Sequence, residues 1–146
     1  MTTAATITQR DDAPVVSNDV RPRVLVADDE RVNRLMLAGL LKDGYDVLEA
    51  RDGHEAVAIV LEQPVDVVLM DVQMPGMDGY EATRILKQHL DGRVVPVVFM
   101  TASNDEERLA RGIACGGDDF VTKPISKTLL RSKIVALLRM RDAFER

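Results

Sequence analysis

The feature that most constrains this chain is an alternation. Five short apolar runs, at residues 24–27, 46–50, 65–70, 94–100 and 120–121, are separated by longer stretches whose apolar residues recur at helical spacing. Val32, Leu35, Met36 and Leu40 mark one face of the first stretch, and Ala56, Val57, Val60 and Leu61 one face of the second. Tyr80, Ile85 and Leu86 mark the third, Leu109 and Ile113 the fourth, and Leu130, Ile134, Leu137 and Leu138 the fifth. Five strands alternating with five helices imply a parallel sheet covered on both faces. The unbroken apolar character of residues 65–70 and 94–100 suits strands buried on both sides. Right-handed crossovers then give a doubly wound α/β sandwich, with ligands bound beyond the carboxyl ends of the strands.

Boundary signals agree with this reading. Asp78 with Glu81 and Ser103 with Glu106 stand at capping-box spacing, and Ser126 after Pro124 is a helix cap. Gly44, Gly92 and the pair Gly116-Gly117 punctuate helix ends. The first 20 residues, rich in Thr, Ala, Asp and Ser, have no apolar period and predict a mobile tail; a single domain is expected over residues 21–146.

Several function classes are disfavoured by composition. No apolar run is long enough to span a bilayer and no secretory signal opens the chain, so a cytoplasmic location is expected. The net charge of −5 disfavours direct nucleic-acid binding, which needs clustered Lys and Arg. Cys115 is the sole cysteine and has no neighbours at zinc spacing, so it reads as a small half-buried residue. His54 and His89 lie in polar helical stretches and read as surface residues.

Four polar features fall at the carboxyl ends of four strands. Asp28, Asp29 and Glu30 end the first in VLVADDE, Asp71 the third in VVLMDVQMPGMDG, Thr101 the fourth in VVFMTA, and Lys123 the fifth in DDFVTKP. Singly, each has a bland explanation: helix capping, a turn former, a turn hydroxyl, a solvated charge. Together, at ends that this topology brings to one crevice, they describe a chemistry. Clustered carboxylates repel unless a hard cation lies between them, and Mg²⁺ takes such oxygen ligands along with phosphate. Asp71, already ionised at neutral pH, can act as an acyl-phosphate-forming nucleophile. Lys123 can hold one phosphoryl oxygen and the Thr101 hydroxyl another.

At these residues the chain resembles the response-regulator receiver family of two-component and phosphorelay signalling. The acidic pair Asp28-Asp29, then DVQMPGMDG, MTA and DDFVTKP carry the resemblance, over about residues 23–139. Thr101 follows Asp71 by 30 residues and Lys123 follows Thr101 by 22, both family separations. The resemblance implies a flavodoxin-like receiver fold with strand order 2-1-3-4-5. It implies Asp71 as phosphoacceptor, with Thr101 and Lys123 completing the catalytic set. Mg²⁺ would be held by Asp29 and Asp71, by Asp28 nearby or through water, and by the backbone carbonyl of Gln73. Thr101 and Phe120 would form the switch pair, and Lys123-Pro124 would be cis. Phosphorylation would draw Thr101 inward, free space for Phe120, and alter the surface of the fourth helix, fifth strand and fifth helix. In the family, phosphoryl lifetime depends partly on the positions held here by Gln73 and Ser103.

The implied partners are a histidine kinase or phosphotransfer protein upstream and an effector or output domain downstream. The implied role is a switch that promotes its own aspartyl phosphorylation and dephosphorylation rather than an enzyme with a separate substrate. A homodimer through the fourth helix–fifth strand–fifth helix face is a family option. However, Leu129 stands where such dimers carry an acidic residue opposite the position of Lys133, which leaves that ion pair incomplete. A stand-alone receiver and the receiver part of a longer protein both fit. The stripe of Leu130, Ile134, Leu137 and Phe144 suits either a long last helix or one leading into an output domain. An aspartyl phosphatase would want a second Asp where Gln73 stands, and a nucleotide- or flavin-binding loop would not carry Asp28-Asp29-Glu30, which repels phosphate. A binding module that has lost phosphorylation would not need the complete set of site residues.

Overall fold

The structure, a computed structural model, describes residues 20–103 and 105–144; all but one residue of the expected tail lies outside them. Ten elements alternate as the apolar pattern requires: β1 (Arg23–Ala27), α1 (Arg31–Leu41), β2 (Asp46–Ala50), α2 (Gly53–Glu62), β3 (Val67–Asp71), α3 (Gly79–Gln88), β4 (Val97–Thr101), α4 (Glu106–Ala114), β5 (Asp119–Thr122) and α5 (Lys127–Phe144). All strand pairs are parallel, in the order β2-β1-β3-β4-β5. The central strands β3 and β4 are buried along their whole length, whereas edge strands β2 and β5 are partly exposed.

The pleat sends alternate side chains to two separate cores. Leu25, Val68, Met70, Val97 and Phe99 face Ala56 and Val60 of α2 and Tyr80, Ala82 and Leu86 of α3. Val24, Val26, Leu69, Val98 and Met100 face Leu37 and Leu41 of α1 and Leu130, Ile134 and Leu137 of α5. Gly44, Gly92 and Gly116 take positive φ beyond helix ends, where a side chain would be strained.

Four expectations need correction. In α1 the buried face is Arg34, Leu37 and Leu41; Val32, Leu35 and Met36 are 75%, 51% and 47% exposed. The helix is apolar on two sides, and the sheet takes the side that includes a charged residue. Ser103 does not cap α4. Asp105 does, accepting from the Glu107 N–H at 2.8 Å, while Ser103 Oγ accepts from the Asp105 N–H. Of the expected α4 face, Leu109 is half-buried and Ile113 is 65% exposed; Gly112 is the buried residue of that helix. The α5 stripe likewise holds through Leu137 but ends at an exposed Phe144.

Other expectations hold. Asp78 accepts from the Glu81 N–H at 2.9 Å, and Ser126 Oγ from the Leu129 N–H at 3.2 Å. Cys115 is half-buried with a free thiol, and His54 and His89 are exposed. None of the described helices is long and apolar enough to cross a membrane.

Candidate functional site

The crevice is built by strand register. The pairs Ala27↔Met70 and Asp71↔Met100 bring the carboxyl ends of β1, β3 and β4 level, and Thr101↔Thr122 aligns β4 with β5. Asp28 and Asp71 are therefore neighbours across adjacent strands. Carboxylate oxygens of Asp28, Asp29 and Asp71 all lie within 4.8 Å of one another. Asp28 and Asp71 are buried and Asp29 is exposed, so one side of the cluster opens to water.

Asp71 ends β3. The Val72 N–H donates to the Met100 carbonyl, and the Gly79 N–H donates to the Val72 carbonyl at 3.1 Å, folding the DVQMPGMDG loop back on the strand. Gly79 is required there: a Cβ would stand 2.2 Å from the Asp71 carbonyl oxygen. Gly76, at φ +77°, makes the turn. The Gln73 N–H donates to Asp71 Oδ1 at 3.2 Å, and the Gln73 side chain faces solvent.

Lys123 is delivered by β5, its N–H bonded to the Thr101 carbonyl at 2.8 Å and its bond to Pro124 cis. Its ammonium lies 3.4 Å from Asp71 Oδ1 and 4.0 Å from Asp28 Oδ2. One lysine does not balance three carboxylates. Burial, and then the Asp28 charge, push the Asp71 carboxyl above its usual range; the Gln73 N–H and Lys123 pull it only part of the way back.

The acidic cluster is not spent on capping α1. Glu30 occupies the cap position and makes no side-chain capping bond. Asp28 Oδ1 accepts from the Glu30 N–H at 2.9 Å and from Asn33 Nδ2 at 3.4 Å, while Asp28 Oδ2 is buried without a hydrogen-bond partner. An orphaned buried carboxylate oxygen beside two further carboxylates is a donor set that fits a hard divalent cation.

Thr101 is buried at the end of β4. Its hydroxyl donates to the Ser103 carbonyl at 3.0 Å and accepts from the Ser103 N–H at 3.2 Å, so it faces its own turn rather than Asp71. Phe120 is half-buried, its ring 5.6 Å from that of Phe99, which lies 5.2 Å from Tyr80. Phe120 and Thr101 sit on adjacent strands, two pairs out of register.

Asp28, Asp29, Asp71 and Lys123 thus meet in one crevice with Thr101 at the adjoining strand end, and Phe120 lies beside it under α4. Two contributors escaped the sequence: Arg34, whose Nη1 donates to the Asp28 carbonyl at 2.7 Å, and Asn33. The signal for Arg34 was its place in the 34, 37, 41 series, which charge disguised.

Comparison with known proteins agrees with the topology. The family model described as the response regulator receiver domain matches residues 24–135. The receiver domain of a histidine kinase from Syntrophus aciditrophicus is 35% identical, with TM-score 0.73, covering 81% of this chain and 90% of that one. The receiver domain of Francisella response regulator 1452 is 32% identical, with TM-score 0.74, covering 82% and 98%. The receiver domain of a sensor histidine kinase from Pseudomonas aeruginosa, solved with magnesium coordinated in its active-site cleft, is 29% identical, with TM-score 0.75, covering 82% and 98%. This chain belongs to the response regulator receiver family of two-component signalling.

Proposed function

We propose that this receiver is a phosphorylation-activated switch that takes a phosphoryl group on Asp71 from a histidine kinase or phosphotransfer protein. The observation that carries this reading is the buried Asp71 carboxylate, within 4.8 Å of Asp28 and Asp29 and 3.4 Å from Lys123. Mg²⁺ bound at Asp28, Asp29, Asp71 and the Gln73 carbonyl would neutralise charge on the incoming phosphoryl oxygens.

Asp71 attacks phosphorus with one carboxylate oxygen; the bond from phosphorus to the donor nitrogen breaks, and its electrons leave with the imidazole. A P–O bond to Asp71 replaces it. Lys123 exchanges its contact with the carboxylate for one with a phosphoryl oxygen. The Thr101 hydroxyl leaves the Ser103 carbonyl and donates to another. That movement opens space on the β5 side, into which Phe120 turns, changing the α4–β5–α5 surface seen by an effector. Lys133 is engaged within the chain by Asp119 and the Phe120 carbonyl, so this face is read as an effector surface before a homodimer face. The unit that does this is the domain from residue 21 onward.

Incubation with Mg²⁺ and acetyl phosphate, followed by intact-mass measurement, tests the reading. A metal-dependent gain of one phosphoryl group, absent in Asp71→Ala, is expected, with a shift of the Phe120 ring signals. A gain that persists in Asp71→Ala, or Phe120 signals that ignore phosphorylation, would sink the acceptor and switch assignments respectively.

A further inference from the structure

Among the described residues Arg34 is the one buried arginine, 7% exposed on the sheet-facing side of α1. Moving a guanidinium out of water costs stability unless its donors are met. Here Nε donates to Glu49 Oε1 at 2.9 Å and Nη1 donates to the main-chain carbonyl of Asp28 at 2.7 Å. Glu49 lies on edge strand β2, and its side chain remains 42% exposed.

The Asp28 carbonyl lies one residue past the last residue of β1. On the other side of the same residue, the Asp28 N–H donates to the Ala50 carbonyl at 3.1 Å. The peptides before and after the Asp28 Cα are thus both tied, one to β2 and one to α1. Holding both fixes the direction of the Cα–Cβ bond. Asn33 and the Glu30 N–H then fix Oδ1, which leaves Oδ2 directed at the cluster. Removing Arg34 would free one of the two peptides while leaving every carboxylate in the chain intact.

We propose that Arg34, itself oriented by Glu49, is a positioning residue that aims the Asp28 carboxylate and so sets the cation affinity of the crevice. Groups that orient metal ligands without touching the metal commonly change affinity by roughly 10–100-fold. The inference rests on the Mg²⁺ reading above.

The test is a Mg²⁺ titration of the full chain, by calorimetry and by the backbone amide NMR shifts of Asp28, Asp29 and Asp71. Arg34→Met is expected to weaken Mg²⁺ binding by roughly tenfold or more and to move the Asp28 amide before any metal is added. Arg34→Lys, which can still reach a carbonyl, should restore part of the affinity. Glu49→Ala, on the exposed edge, should lose less in the same direction, and it carries the test if Arg34→Met fails to fold. Arg23→Met is the structural control. Arg23 bonds the Pro64 carbonyl and Gln63 at the other end of β1, so its loss should lower stability and leave Mg²⁺ affinity unchanged. If Arg34→Met and Glu49→Ala bind Mg²⁺ as tightly as the unaltered chain, the positioning role is overturned and the cation site stands. If the unaltered chain binds no Mg²⁺, both fall together.

Discussion

Helices α3 and α4 begin alike and are held quite differently. Each is capped by an aspartate whose side chain accepts an N–H from the first turn: Asp78 from Glu81 and Asp105 from Glu107. Yet α3 buries Gly79, Tyr80, Ala82, Thr83 and Leu86, and α4 buries Gly112 alone. What ties α4 across to α3 is polar and peripheral: the Tyr80 hydroxyl to the Arg108 carbonyl at 3.5 Å, the Arg111 guanidinium 4.6 Å from the Tyr80 ring centroid, and Arg111 to Asp78 at 3.5 Å. Contacts of these kinds are worth about 1 kcal/mol or less each at exposed sites. Helix α3 cannot shift without opening the core, whereas α4 can. Of the described helices α4, over Phe120, buries the fewest residues, which suits an element biased by events at Asp71.

Leu86→Ala should produce the largest effect, a loss of about 3 kcal/mol in urea unfolding, because it empties a fully buried position under α3. A loss similar to that of a surface mutant would break the contrast. Gly79→Ala follows at about 2–3 kcal/mol, since the added Cβ meets main chain at the Asp71 carbonyl and neither element can give way. The Asp71 amide signal should move with it.

A gain is expected from Asp71→Asn. Burial raises the Asp71 pKa in the folded chain, so its favourable contribution is complete below the unfolded carboxyl value of about 4 and is lost as pH rises through the raised value. Without metal, the substitution should therefore raise the melting temperature at pH 7 and lose that advantage as the pH falls towards about 4. An advantage that is the same at both pH values would show that charge burial is not its cause.

Gly112→Ala should cost only about 1 kcal/mol, although its Cβ would stand 2.7 Å from Phe120 Cζ, because a ring edge can turn where main chain cannot. The informative readout is a displaced Phe120 ring signal; an unmoved ring would mean that α4 yields instead. Ile113→Ser, on the exposed side of α4, should change stability by less than ~0.5 kcal/mol. A loss approaching that of Leu86→Ala would show that Ile113 is covered in solution.

The parallel sheet, the two-sided burial of β3 and β4 and the meeting of Asp28, Asp71, Thr101 and Lys123 at the strand ends were legible in the residue pattern, whereas the strand order came only with the family resemblance. Each strand is an apolar run closed by a polar residue, and parallel strands must place those closings at one end. The Asp78 cap was legible for the same reason, because its partner is three residues away. The α4 cap was misread because Ser103 and Asp105 offer competing local bonds, and the Thr101–Ser103 turn decides between them.

By itself, then, the sequence determined the kinds of element, their order and the residues at the crevice, since periods of two and 3.6 residues and turn chemistry act over a few positions. The tertiary structure alone decided which side of α1 faces the sheet, how loosely α4 rests, and that a buried arginine holds the Asp28 carbonyl. Those outcomes depend on partners such as Glu49 and Phe120 that lie far along the chain. A helix with two apolar sides buries whichever one lets its neighbours' polar groups be satisfied.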